Sequence, residues 1–397
     1  MPQVNLKRCR VEYKLSHLRF AFTLVTMLLA IGMTVPVFSM DRVVCKREGK
    51  ELKLEGRIEV EAEDGGILLL TRDGILWPIP AEELVKKEKD DKEFKLHTKE
   101  ELARSLTKTF SPGFRIHHTK HYVFCYNTST AYAQWVGSLY ERLYSGFFNY
   151  WQRRGIELRE PDAPLVAVIF DSQQTYAAYS QADLGNSAQN IIGYYSLLTN
   201  RVNMYDLTGT DAIEGGNAKN SAAKINAILS RPEAERTVAT IVHEATHQLA
   251  FNSGLHVRLA DIPFWVSEGL AIYFETPDLQ SSKGWRSIGG VNRVNLINFR
   301  QYMQTRSKDG FKSLIGDDTR FRDSKLASQA YAEAWTLSYY LNQRKSEAYV
   351  AYLKELSQSK PLVSETPEDR MALFRKHFGE DLSALEDDFL KFAQGLQ

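Results

Sequence analysis

From Leu52 to Ala62 the chain alternates. Glu51-Leu-Lys-Leu-Glu-Gly-Arg-Ile-Glu-Val-Glu-Ala places apolar side chains at every second position, with Gly56 the one gap. That is the period of a half-buried β-strand. Asp64-Gly65-Gly66 and Asp73-Gly74 then read as hairpin turns. Ile67-Leu-Leu-Leu-Thr and Ile75-Leu-Trp-Pro-Ile are further short strands. Residues 42–85 therefore predict a small all-β domain of three or four strands, a barrel or meander. It holds no catalytic constellation and reads as an accessory or binding domain. The charged run from Lys86 to Lys99 lacks an apolar period and predicts a solvated linker over 86–108.

The pattern changes after residue 109. Phe114-Arg-Ile-His-His and His121-Tyr-Val-Phe-Cys-Tyr read as a hairpin, followed by a helix from Ser129 to about Arg154. Leu165-Val-Ala-Val-Ile-Phe170 is apolar throughout, as a strand covered on both faces is. Asn200 to Tyr205 is another strand. Val238, Ile241, Val242, Ala245 and Leu249 then recur at helical spacing. Ser230 with Glu233 resembles a capping box, Pro232 suits a first turn, and Asn252-Ser253-Gly254 is a stop signal. The spacing predicts a helix over 231–252. Asp261 and Pro263 predict the start of a second. Beyond Glu275, helices are predicted at about 291–305, 326–343, 346–358, 366–377 and 381–395. The fold class is α+β: a small mixed sheet with helices over 109–280, and a helical C-terminal part over 281–397 that completes the same unit.

On the helix of 231–252 lies His243-Glu-Ala-Thr-His247. Residues four apart share a helix face, so both imidazoles can address one point, as a zinc ion requires. Glu244 lies beside them, placed to handle a proton. Two histidines do not close a catalytic zinc site, which usually has three protein ligands. The metzincin continuation needs Gly and His where this chain has Ala250 and Ser253. His256 comes too late for that pattern and reads as a loop residue. Glu268, 21 residues after His247 in Phe264-Trp-Val-Ser-Glu-Gly-Leu-Ala-Ile-Tyr-Phe-Glu275, can return beside the histidines on an antiparallel helix. Glu275 lies too far along to share the ion readily; it reads either as a carboxylate that orients a ligand or as a solvated helix end.

His-Glu-x-x-His followed by Trp-x-x-Glu-Gly-Leu-Ala-x-Tyr-Phe-Glu resembles the gluzincin branch of zinc metallopeptidases. The resemblance implies a zincin-like fold, Zn2+ as cofactor, His243, His247 and Glu268 as ligands, Glu244 as general base, and a peptide or protein substrate. From about 110 to 395 the chain resembles the uncharacterised bacterial DUF1570-type proteins, on Asn200-Arg-Val-Asn-Met-Tyr-Asp-Leu-Thr208, the two-helix motif, and Tyr331-Ala-Glu-Ala-Trp-Thr-Leu-Ser-Tyr-Tyr-Leu341. That group name implies no substrate. By resemblance, the strand at 200–205 is an edge strand lining the cleft, and Tyr331 donates to a developing oxyanion; a packed aromatic is its plain alternative. Many thermolysin-like members carry an acidic residue where this chain has Ile272, so the resemblance leaves open which residue partners the ligand histidine here. The reading from another class is a catalytically inactive zinc-binding scaffold or binding protein of the envelope.

Composition narrows the remainder. The 397 residues carry a net charge of +1, which gives no electrostatic case for nucleic acid. Lys7, Arg8, Arg10, Lys14 and Arg19 precede an apolar run from Phe20 to Ser39, so residues 1–39 read as an export signal cleaved after Ser39. The same run is also long enough for an uncleaved anchor attaching the chain to a membrane. Either reading places the rest outside the cytoplasm, in the periplasm, at the cell surface or secreted. Cys45 and Cys125 then form either one disulfide or two buried thiols. His117, His118 and His121 suggest a second metal site less well than exposed strand faces. Nothing in the sequence specifies an oligomeric state.

Overall fold

The computed structural model describes residues 39–110, 112–208, 235–275 and 288–397. The expected signal or anchor and the Ser230/Glu233 capping box lie outside the described residues. Among the described residues, no helix is long and apolar enough to cross a membrane. The chain divides into two compact units. One runs to Leu96 and includes Tyr179–Ala188; the other comprises His97–Ala178 and Gln189–Gln397.

The first unit is built on β1 (Ser39–Arg47), β2 (Lys50–Glu61), β3 (Ile67–Thr71), β4 (Leu76–Ile79) and β5 (Leu84–Glu93). Their order in the antiparallel sheet is β4-β3-β2-β1-β5. Val43, Cys45, Ile67, Leu69 and Ile79 form its core. The gap at Gly56 has a steric reason: a Cβ there would stand 2.3 Å from the Leu70 carbonyl oxygen. The charged run expected as a linker from Lys86 is instead largely β5, paired to β1 with Val43 opposite Lys87. Its side chains are solvated, as its composition implied, and Lys87–Glu61 and Arg42–Asp90 ion pairs line it. A backbone ladder needs no apolar side chains, so the composition reported exposure and missed the strand. The rest of the expected linker holds α1 (Lys99–Thr109), closed by a capping box between Thr98 and Glu101.

The second unit carries the mixed sheet β6-β7-β8-β10-β9. Its strands are β6 (Arg115–His118), β7 (Tyr122–Tyr126), β8 (Leu165–Phe170), β9 (Gly193–Ser196) and β10 (Arg201–Tyr205). Strands β7, β8 and β10 are parallel; β6 and β9 are antiparallel edges. The strand expected at the edge, β10, is thus interior, and the edge is β9. The intervening turn is tight, with Asn200 at φ 58° donating its N–H to Ser196 O at 2.8 Å. Gly-Tyr-Tyr-Ser is too short to show a period of two, so this edge left no pattern.

Helix α2 (Thr130–Gln152), capped by Ser129, buries an aromatic-rich face against the sheet, and α3 spans Gln173–Leu184. Helix α4 (Glu235–Asn252) bears His243 and His247. Gln248, fully buried, fastens it to the sheet by donating to Val166 O at 3.0 Å and Asn200 O at 2.9 Å. Helix α5 (Phe264–Phe274) follows.

Then come α6 (Arg293–Met303), α7 (Gly310–Ile315), α8 (Thr319–Arg322), α9 (Ala327–Arg344), α10 (Ser346–Leu356), α11 (Pro367–Phe378) and α12 (Leu382–Gly395). The five longer ones match the apolar periodicity; α7 and α8 are too short to display one. Glu333 on α9, fully buried, takes Arg306 and Arg320 at 2.7 Å each, so its charge is matched from both sides. The architecture is the expected α+β. Cys45 and Cys125 are both buried and free, so the bridge does not form.

Candidate metal centre

Helix α4 sets His243 and His247 one turn apart, with ring centroids separated by 4.7 Å. Helix α5 returns beside it and adds Glu268. His243 Nε2 lies 3.2 Å from Glu268 Oε2 and 3.1 Å from His247 Nε2, while His247 Nε2 lies 3.5 Å from Glu268 Oε1. All three ligand atoms fall within 4.8 Å of one another. Among the described residues this is the one group of three or more such side chains so arranged. His117, His118 and His121 form no such group; His121 pairs with Glu141 at 2.6 Å and stacks on Tyr144.

The donor set fits a cation. His243 Nδ1 lies 2.9 Å from Glu275 Oε2, and a proton there makes Nε2 a lone pair. That lone pair faces a second imidazole nitrogen and a carboxylate oxygen. Such groups repel unless a proton or metal ion lies among them. Two imidazoles and a carboxylate are also a common protein ligand set for catalytic zinc. Burial disfavours a charge on His243, yet Glu268 and Glu275 overcome it and raise its proton affinity well above the ordinary histidine value. Burial likewise raises Glu268, but His247 and His243 bring its carboxyl well below the usual range. The pocket thus attracts positive charge into a partly shielded place: the three side chains are 14%, 12% and 16% exposed.

Glu244 directly follows His243 on the helix. Burial raises its pKa above the ordinary carboxylate value, with both histidines opposing. Its Oε2 accepts the backbone N–H of Tyr195 at 2.8 Å. Tyr195 is on edge strand β9, and its hydroxyl donates to Asn200 Oδ1 at 2.7 Å. Asn200 and Asn252 exchange amide hydrogen bonds of 2.8 and 2.7 Å, so the β9–β10 turn is tied to the end of α4. Arg258 closes the same turn by donating to the Leu197 and Leu198 carbonyls, both at 2.9 Å.

Tyr331, in the second turn of α9, has its pKa raised first by the Glu268 charge, then by burial, then by Glu244. It is therefore a neutral phenol beside this centre, and its ring also meets Phe321 edge-on. Glu275, at the C-terminal end of α5, takes His243 with one oxygen and Asn292 with the other, at 3.1 Å. Asp261 does not cap α5. It pairs with Arg370, and the helix's first N–H, on Phe264, goes to Asp318 at 3.0 Å. His256, expected as a loop residue, is in the loop after α4 but 2% exposed, edge-on to Phe251.

Sequence reasoning missed Tyr195, Asn292 and Asp318. Tyr195 acts through a backbone N–H, which has no side-chain signature. Asn292 could be read as a helix cap, though not as a partner of Glu275. Asp318 had no local signal at all, being 54 residues from the N–H that it accepts.

The fold and the cluster define an α+β unit with two histidines and one glutamate gathered on adjacent helices. Residues 237–363 match a family described as a protein of unknown function, DUF1570. That stretch contains His243, Glu244, His247, Glu268, Glu275 and Tyr331. No curated protein matches the chain.

Proposed function

We propose that this protein is an exported zinc-dependent metallopeptidase of the gluzincin kind. The observation that carries the reading is the convergence of His243, His247 and Glu268 within 4.8 Å, with Glu244 beside them on the same helix. His243, His247 and Glu268 would hold the ion. When bound there, zinc supplies a water of lowered pKa and a Lewis acid for the scissile carbonyl.

The chain's own residues do the rest. Glu244, whose proton affinity burial has raised, accepts the proton of the attacking water and returns it to the departing amine. Tyr331, kept protonated by Glu268 and burial, donates to the oxygen on which negative charge develops. Glu275 keeps His243 in the tautomer that presents Nε2. Export rests on the basic-then-apolar N-terminal run.

The test is a broad peptide-library digest with metal analysis, on wild type and Glu244→Gln. Wild type should contain zinc and cleave; the variant should keep zinc and lose cleavage. A fully active Glu244→Gln would remove the base assignment. Zinc-loaded wild type without turnover on any peptide would favour the scaffold reading, and absence of zinc binding would overturn both.

A further inference from the structure

We infer that Asn292 is a positioning residue for the metal centre, acting through Glu275 on His243. The inference rests on the metal reading above and extends it to a residue outside the two-helix motif. Asn292 is 9% exposed and has two separate bonds. Its Oδ1 accepts the Asn295 N–H at 3.1 Å, which caps α6, and its Nδ2 donates to Glu275 Oε1 at 3.1 Å. Both ends of the amide are therefore used, and its orientation is determined by them.

Consider Glu275 without that donor. It follows the last residue of α5, and its carboxyl can rotate about its terminal bond, a soft torsion. With Oε1 held by Asn292, Oε2 is directed at His243 Nδ1, 2.9 Å away. A carboxylate so held fixes the imidazole plane and its tautomer, and thereby the direction of the Nε2 lone pair. Backbone packing places Asn292 where it can do this. Gly289, at φ 78°, lies against Tyr273 so closely that a Cβ would stand 2.1 Å from the phenol oxygen. The approach to α6 is thus pressed onto α5 three residues before Asn292. Glycine there both adopts the positive φ and permits the contact.

Two properties of Asn292 need separating, the cap and the donor. Serine and threonine both cap helices but are too short to reach a carboxylate across this gap. In the full chain, Asn292→Ser should retain the metal-free stability of wild type. It should weaken zinc binding, measured by competition with a chromogenic chelator, by roughly three- to ten-fold, below the 10- to 100-fold typical of direct partners of a ligand. Asn292→Thr should behave alike, and serves if the serine variant does not fold.

A double-mutant cycle distinguishes this role from a structural one. In a Glu275→Ala background, Asn292→Ser should change zinc affinity no further, since its route to His243 is gone. Unchanged zinc affinity in both single variants at Asn292, or losses that simply add in the double variant, would overturn the inference while leaving the metal site standing. Wild type that binds no zinc would overturn the inference together with the metal reading.

Discussion

Gly269 and Ser338 meet with no room for a methyl group between α5 and α9. A Cβ on Gly269 would stand 2.3 Å from Ser338 Oγ and 2.5 Å from the Ala334 carbonyl oxygen. Glycine costs a helix interior roughly 0.5–1 kcal/mol relative to alanine, so its presence here answers to this contact. Gly269 is also the residue after Glu268, and α9 carries Tyr331. The close approach therefore sets the spacing between the Glu268 carboxylate and the Tyr331 phenol. Gly269→Ala should destabilise by about 1–3 kcal/mol despite better helix propensity, as overpacking does. Urea unfolding of the metal-free protein measures this; a variant as stable as wild type would mean the helices separate freely.

Metal removal should be visible in stability. The ligand atoms of His243, His247 and Glu268 converge in the folded chain only, so on the proposed function zinc would bind the native state in preference to the unfolded one. Free zinc at a hundred times its dissociation constant adds about 2.7 kcal/mol. Chelator-treated protein should therefore melt several degrees lower, and zinc should restore the transition. Glu268→Ala should abolish most of that response. An identical zinc-induced rise in Glu268→Ala would place the ion elsewhere.

Some of this site was legible from spacing alone. The four-residue interval fixes the His243 and His247 face because a helix turns every 3.6 residues. Glu268 follows from an antiparallel return, which a short loop and a second apolar segment imply. The five longer C-terminal helices show their period plainly. What stayed hidden was contact made at a distance or through the backbone. The Tyr195 N–H reaches Glu244 across 49 residues, and the interior position of β10 depends on a four-residue edge strand. Lys86 to Glu93 reads as a linker because its side chains are solvated, though its backbone pairs with β1 as the edge strand β5.

The start of α5 depends on a charge supplied from elsewhere. Asp318 accepts the Phe264 N–H and hydrogen bonds from both terminal nitrogens of Arg370, at 3.0 and 3.2 Å, while Arg370 also takes Asp261 at 2.5 Å. Arg370 is 7% exposed, so it has little water to turn to. Asp318→Ala leaves a buried cation half-matched and a helix N–H unsatisfied. The expected loss is about 3–5 kcal/mol, the scale for breaking a buried pair. Asp261→Ala, which leaves Asp318 in place, should cost less. Chemical denaturation of the two variants compares them directly, and equal losses would make Asp261 as important as Asp318.

His256 should make the fold sensitive to acid. It is 2% exposed, and neither ring nitrogen has a hydrogen-bond partner. Burial, with a smaller contribution from His247, pushes its pKa down to about 3. An unfolded histidine titrates near 6.5. Between those values the unfolded chain binds a proton that the folded chain refuses, so stability rises with pH across this window. This contribution is fully present above about pH 6.5 and is lost on acidification at up to about 1.4 kcal/mol per pH unit. His256→Phe keeps an aromatic ring against Phe251 and removes the titration. Its unfolding free energy should fall less than that of wild type between pH 7 and pH 4.5, measured by urea titration at each pH. Parallel losses in the two proteins would show that His256 already has a proton, or a water, in the native state.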